Sequence, residues 1–387
     1  MLNVYAELGW LPPPPSDFTA RLRSLRDSAD PVGAELKKLA SYRLDEAQLM
    51  KVARFLGSAA NAGTIVTPLN AYTLGVISNA TTDFICSAIS GTSPRFGLSV
   101  RCCTGAFDQA LQESLDPQSS INACSPHAVL IAIDWRGLGL RPTFESAERA
   151  SEMVESARQY LNSIRLAIRQ NSGAVCIVQN VAPPPERLLG SLDRAVSGSL
   201  QGVVQSLNSL IAADIENSPD VLLDVAGLAE AVGLANWFSP TEWNLAKLPF
   251  ASDFVPLYSD HVCRIIAALT GRSRRCLVLD LDNTLWGGVI GDDGLEGIQL
   301  AQGDATGEAY LEFQRYVLSL RDRGVVLAVS SKNQDDVARS PFRNHPEMIL
   351  REDHVIGEFT GRNGAFTILL VRVVSSVQSV HPDRLVE

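Results

Sequence analysis

Asp280-Leu281-Asp282-Asn283-Thr284 follows directly on the apolar run Cys276–Leu279. In an extended chain, residues i and i+2 point to one side. Curvature at a strand end therefore brings both carboxylates to one cleft while Leu281 stays in the core. Two acids so placed suit phosphoryl transfer. One attacks phosphorus to give an aspartyl-phosphate; the other protonates the leaving oxygen and later activates water. Like charges this close need a counter-cation, and Mg²⁺ with oxygen ligands is the natural one. A solvated acidic turn would explain an isolated Asp-x-Asp. The apolar strand before it, Thr284 after it and a second apolar strand ending in Ser330-Ser331-Lys332 argue for the catalytic reading.

The elements that position these residues read as α/β. Residues 1–68 form a helical preface: Pro12 to Pro15 give a stiff entry, and Leu22 with Leu25, Leu36 with Leu39, and Leu49, Val52 and Leu56 recur at helical spacing. Packing or docking, not chemistry, is its expected role. Over 69–268 short apolar runs alternate with helical stretches, and strands are predicted at 73–78, 96–102, 128–134, 173–180 and 221–225. Their apolar residues are nearly continuous, as in parallel strands covered on both faces, which predicts an open, doubly wound sheet. A second α/β unit, 269–387, opens with the Cys276 strand, predicted to be buried. It continues with a helix over 307–323 and a buried strand at 325–331.

Composition narrows the function. The chain has 387 residues and a formal net charge of −10, which argues against a nucleic-acid binder held by clustered Lys and Arg. No apolar run reaches the roughly 18–20 residues of a membrane span, and the N-terminus lacks a basic-then-apolar leader. Seven cysteines without a CxxC pair predict buried, reduced thiols in a cytoplasmic protein. No GxGxxG or Walker A motif occurs, and Gly287, Gly288 and Gly291 supply backbone freedom in a loop. Trp135, Trp237, Trp243 and Trp286 read as core or cleft-wall residues.

The stretch VLDLDNTLWGGVIGDDGLEGIQLAQGDATGEAYLEFQRYVLSLRDRGVVLAVSSKN resembles the haloacid dehalogenase (HAD) superfamily in its FkbH-like, HAD-IIIC branch. Upstream, VQNVAPPPERLLGSLDR, LLDVAGLAEAVGLANWF and KLPF resemble that family's N-terminal domain, an SGNH-hydrolase-like or flavodoxin-like α/β fold followed by a partial HAD-like Rossmannoid domain. The resemblance implies that Asp280 is the nucleophile and a Mg²⁺ ligand. It implies that Asp282 is the general acid/base and ligates Mg²⁺ through its backbone carbonyl. Thr284 would steady the loop, Ser331 would bind phosphoryl oxygens, and Thr284, Lys332 and Asn333 would contact substrate or phosphate. Residues 286–294 would form the flap that excludes water. Family members in polyketide pathways take a glyceryl unit from 1,3-bisphosphoglycerate, a phosphorylated three-carbon acid, and load it on an acyl-carrier-protein thiol.

Three departures from the family pattern weaken the expected activity. Ser330 stands where the family has cysteine, and a hydroxyl needs an activating base; Cys276 is the nearest thiol in sequence. No lysine follows Lys332, leaving Arg351 or Arg362 as the cation, although an arginine fork is not an ammonium. The acidic pair that completes the Mg²⁺ site is missing, with Glu352-Asp353 as the nearest replacement. The stretch 355–387 diverges, reading as a truncated or frame-disrupted family member, and FTILLVRVV (366–374) is β-prone. Weak or absent phosphatase activity is the expectation. The alternatives are a non-catalytic remnant or carrier-protein docking module, and an SGNH-type esterase or acyltransferase. The last would use Ser78 with Asp260 and His261, and Asn180 as an oxyanion donor.

Overall fold

The computed structural model describes residues 4–28, 30–62 and 64–355. Arg362 and the β-prone stretch 366–374 lie outside the described residues. The chain divides between Arg272 and Ser273 into two compact units.

The first unit begins with α1 (Phe18–Ser24), α2 (Gly33–Ala40) and α3 (Glu46–Ala62). There follow β1 (Asn70–Ser78), α4 (Asp83–Thr92), β2 (Leu98–Thr104), α5 (Ala110–Leu115), α6 (Ser120–Ala123) and β3 (Ala128–Ala132). After α7 (Ala147–Ser172) come β4 (Val175–Gln179), α8 (Leu200–Glu216) and β5 (Val221–Leu223). The unit closes with α9 (Val225–Val232), α10 (Leu234–Trp237), α11 (Pro240–Ala246) and α12 (Val255–Leu269).

The five strands form one parallel sheet in the order β2-β1-β3-β4-β5. Period-two alternation explains how both faces are buried. Ala128, Leu130 and Ala132 of β3 join one core with α2, α3, α4, α9 and α12, while Val129 and Ile131 join the other with α7 and α8. The predicted strand at 96–102 starts two residues late, because Ser93–Phe96 form a 3₁₀ turn that Gly97 ends at φ +73°. β3 stops at Ala132, short of the predicted 134, where Asp134 organises a turn.

The preface helices share the first core. Phe18, Leu22, Leu36, Leu39, Leu49 and Val52 are buried in the cluster that also holds Leu74 of β1 and Leu257 of α12. Helices α3 and α4 touch backbone to backbone: a Cβ at Gly91 would run into the Leu49 carbonyl. That contact requires glycine.

The second unit contains β6 (Cys276–Leu279), α13 (Ile290–Gly297), α14 (Ala305–Asp322), β7 (Val326–Val329) and α15 (Asp335–Asn344). β6 and β7 pair in parallel as a two-stranded sheet. Leu279, Leu311, Val317, Leu327 and Phe342 form its core. The prediction that β6 is buried on both faces is corrected. Cys276 is exposed and Val278 is 49% exposed, so only the Leu277–Leu279 side is covered. The physical reason is that the described helices of this unit pack on one face of the strand pair. Cys276 is therefore not the buried thiol expected, although Cys86, Cys176 and Cys263 are buried. Among the described residues no helix is long and apolar enough to cross a membrane.

Candidate functional site

The alternation of β6 continues past its end. Asp280 is exposed, Leu281 is fully buried and Asp282 is half-buried. Leu281 also anchors a tight turn, its carbonyl accepting from Thr284 N at 3.1 Å and Leu285 N at 2.9 Å. Thr284 thus sits within the turn that carries both acids. Asn283 adopts φ +54°, a conformation asparagine tolerates. Its N–H donates to Gly288 O at 3.2 Å and its Oδ1 accepts from Gly288 N at 3.0 Å. Leu285 and Trp286 then plunge into the core with no exposed surface.

The two carboxylates stand in different surroundings. Asp280 accepts from the Leu281 N–H at 2.8 Å, its own neighbour. Asp282 is held by three donors. Oδ1 accepts from Trp286 Nε1 at 3.2 Å and Ile290 N at 3.0 Å, and Oδ2 accepts from Asn333 Nδ2 at 2.7 Å. The segment proposed as a flap is therefore tied to Asp282 at two points, and an isolated bridge pairs Gly287 with Gln299 behind it.

The loop after β7 brings up the other residues. Ser330 N donates to Leu279 O at 2.8 Å, extending the strand pairing. Ser331 Oγ accepts from Asn333 N at 3.1 Å, and Lys332 is exposed. Asn333, expected to contact substrate or phosphate, gives its side-chain amide to Asp282.

Among the described residues no three His, Cys, Asp or Glu side chains are grouped to cage a metal. The donor set still fits a Mg²⁺ that keeps most of its waters, because such ions are held by one or two carboxylates plus substrate oxygens. Asp280 is the carboxylate open for that purpose. Glu352 is not a replacement ligand. It is paired with Arg339 at 3.0 Å and Arg343 at 2.8 Å, and these arginines, Arg343 first, hold its carboxyl below the usual range. Arg351 is not placed as the missing cation, since its Nη1 donates to Phe342 O at 3.2 Å.

In the first unit the structure does not assemble a Ser-His-Asp triad from the candidates. Ser78 Oγ donates to Ala132 O at 2.7 Å and accepts from Ala80 N at 3.0 Å. Asp260 is buried in ion pairs with Arg95 and Arg264. His261 instead hydrogen-bonds Tyr5 Oη at 2.9 Å, and burial, then Arg264, lowers its pKa. Asn180 donates to Asp224 Oδ1 at 2.6 Å and accepts from Ala226 N at 2.8 Å, so it caps α9 instead of facing an oxyanion.

Ligands of open parallel sheets bind where the strand order reverses, here between β1 and β3. That crevice is filled by a polar knot. Asp134 accepts from Asn79 Nδ2 at 2.8 Å and Arg136 Nη1 at 2.6 Å, and the Arg136 guanidinium lies 4.3 Å from the Trp135 ring and 4.0 Å from the Trp243 ring.

Residues 73–267 match the family described as FkbH, N-terminal domain. The chain belongs to the FkbH N-terminal domain family. The FkbH segment runs from within β1 through most of α12 and takes in the five-stranded sheet apart from the first three residues of β1. The FkbH-family chain is also similar to a crystal structure of the N-terminal part of the protein BF1531 from Bacteroides fragilis, described as containing a phosphatase domain complexed with Mg. The identity is 25%, the TM-score 0.71, and the match covers 81% of this chain and 80% of that one. No curated protein matches the chain.

Sequence reasoning missed the knot of Asn79, Asp134 and Arg136, because single polar residues after strands carry no spacing signal. It also missed Gln314, fully buried in α14, which binds Leu285 O, Ile349 N and Leu350 N. A polar residue on the apolar side of a predicted helix was the one available sign.

Proposed function

We propose that the second unit is a phosphotransfer unit of the haloacid dehalogenase type, in the FkbH-like, HAD-IIIC branch. It takes a phosphoryl group from an acyl phosphate onto Asp280. The observation that carries this is the contrast between two acids on one turn. Asp280 is exposed with one oxygen bonded to its neighbour's N–H, while Asp282 is fixed by donors from Trp286, Ile290 and Asn333. A nucleophile must be open to substrate; a proton-handling group must be oriented. The similarity to a phosphatase-domain structure bound to Mg supports the reading.

In this reading Asp280 attacks phosphorus, Asp282 handles the proton, and Ser331, Lys332 and Asn333 line the loop that faces the phosphoryl group. Mg²⁺ would be held by the Asp280 carboxylate and the Asp282 carbonyl, and when bound it neutralises the charge gathered between carboxylate and phosphoryl oxygens. The donor is the acyl phosphate of a small phosphorylated three-carbon acid. Where its acyl unit goes to a carrier-protein thiol, the sulfur attacks the acyl carbon of the intact acyl phosphate and phosphate leaves directly, in place of transfer to Asp280. Ser330 in place of cysteine makes that delivery poor. The five-stranded unit is an SGNH-like scaffold whose former catalytic positions serve packing.

A second reading is favoured by Glu352, which is committed to Arg339 and Arg343, so that among the described residues no group of three acids forms around the two aspartates. It makes the chain a docking module for a carrier protein with no turnover of its own. Incubation of the full chain with acetyl phosphate and Mg²⁺, followed by acid quench and peptide mass spectrometry, separates the two. A phosphoryl group on Asp280, absent in Asp280→Asn, is expected. A folded native chain that stays unmodified supports the docking module.

A further inference from the structure

Asp282 is gripped from both ends of its carboxylate. The two donors on Oδ1, Trp286 Nε1 and Ile290 N, come from the segment just downstream. The donor on Oδ2, Asn333 Nδ2, comes from 51 residues away and makes the shortest of the three bonds, 2.7 Å. Asn333 is itself fixed, since its N–H donates to Ser331 Oγ at 3.1 Å and anchors it in the loop after β7. With bonds on Oδ1 alone, a carboxylate pivots about that oxygen. A bond on each oxygen sets its plane.

We infer that Asn333 is a positioning residue that sets the orientation of the Asp282 carboxylate and thereby its reach as a general base. The inference rests on the phosphotransfer reading and goes beyond it by giving Asn333 a role toward the base. In the first step a carboxylate oxygen of Asp280 bonds to phosphorus and the bond from phosphorus to the acyl oxygen breaks. The acyl group leaves with the electron pair as a carboxylate and needs no proton. In the second step a water oxygen bonds to phosphorus and Asp282 takes one of its protons. The bond from phosphorus to Asp280 breaks, phosphate leaves, and Asp282 returns the proton to solvent. Only this second step depends on the plane of Asp282, and misplacing a catalytic group by about 1 Å costs roughly 100-fold in rate.

The test uses the full chain with radiolabelled acetyl phosphate and Mg²⁺, quenched in acid after a chase with unlabelled donor. Label on Asn333→Ala is expected to decay about 100-fold more slowly than on the native chain, with Asn333→Gln recovering part of the rate. The same proteins, labelled with nitrogen-15, report the Trp286 indole N–H resonance, assigned by its loss in Trp286→Phe. It is expected to move in Asn333→Ala, because the shared carboxylate turns. Label that decays at the native rate, or an indole resonance that stays in place, overturns the inference. Should the native chain take no label, the phosphotransfer reading fails, and the indole resonance alone decides whether Asn333 positions Asp282.

Discussion

The Trp286 indole Nε1 donates to Asp282 Oδ1 at 3.2 Å, which ties a ring with no exposed surface to a half-buried acid on the same turn. The aspartate is thus oriented by a side chain that cannot move without opening the core. Trp286→Phe keeps most of the ring and deletes the donor. It is expected to cost about 1–2 kcal/mol, read as a lower urea midpoint. Trp286→Ala should cost about 3–5 kcal/mol through the cavity it leaves.

Gln314 satisfies three backbone groups from one buried amide. Nε2 donates to Leu285 O at 2.8 Å, and Oε1 accepts from Ile349 N at 3.0 Å and Leu350 N at 3.1 Å. Gln314→Leu has similar bulk but strands all three. A loss of about 2–4 kcal/mol is expected from the unpaired groups, measured by chemical denaturation. Gln314→Glu buries a carboxylate against the Leu285 carbonyl and should cost at least as much as Gln314→Leu at neutral pH.

Asp260 is 1% exposed and paired with both Arg95 and Arg264, and Arg95 also donates to Ala40 O at 2.8 Å and Tyr42 O at 3.3 Å. Asp260→Ala leaves the largely buried Arg95 without its counter-charge. Breaking such a pair costs about 3–5 kcal/mol, again read from the denaturation midpoint. A residue of a hydrolytic triad would instead lose activity with little stability.

Arg158 grips Asp214 with two bonds, Nε to Oδ2 at 2.8 Å and Nη2 to Oδ1 at 2.7 Å, joining α7 to α8. The Arg158 hydrogen bond is the first cause of the lowered Asp214 pKa. Because the unfolded chain binds that proton at higher pH, the pair's contribution is complete above the ordinary carboxylate value of about 4. It fades as pH falls through that value toward the lowered one. Urea midpoints of Asp214→Asn should therefore lie below native at neutral pH and converge on it in acid.

The fold was legible where burial on two faces leaves a simple mark. β1 and β3 to β5 are nearly unbroken apolar runs, and the helices between them carry apolar stripes. Cys276–Leu279 looks the same in sequence but has one open face, since hydrophobicity reports a residue's preference and not whether anything arrives to cover it. At the candidate site, the side assignment of Asp280, Leu281 and Asp282 follows from strand alternation. The grip of Asn333 on Asp282 does not, because contacts between distant loops depend on where two strands end relative to each other. Asn283 could have been flagged, as an asparagine before a Thr-Leu-Trp-Gly-Gly turn is a natural host for positive φ.

The burial of Leu36, Leu39, Leu49 and Val52 beside Leu74 and Leu257 sets apart two kinds of boundary. Recognition by the FkbH description begins at residue 73, but the oily interior of that segment is finished by side chains contributed from before that residue. Cut at the edge of recognition, the piece would carry an open wound of leucine and valine facing water. Family membership and self-sufficiency are, for this polypeptide, drawn at different places along the chain.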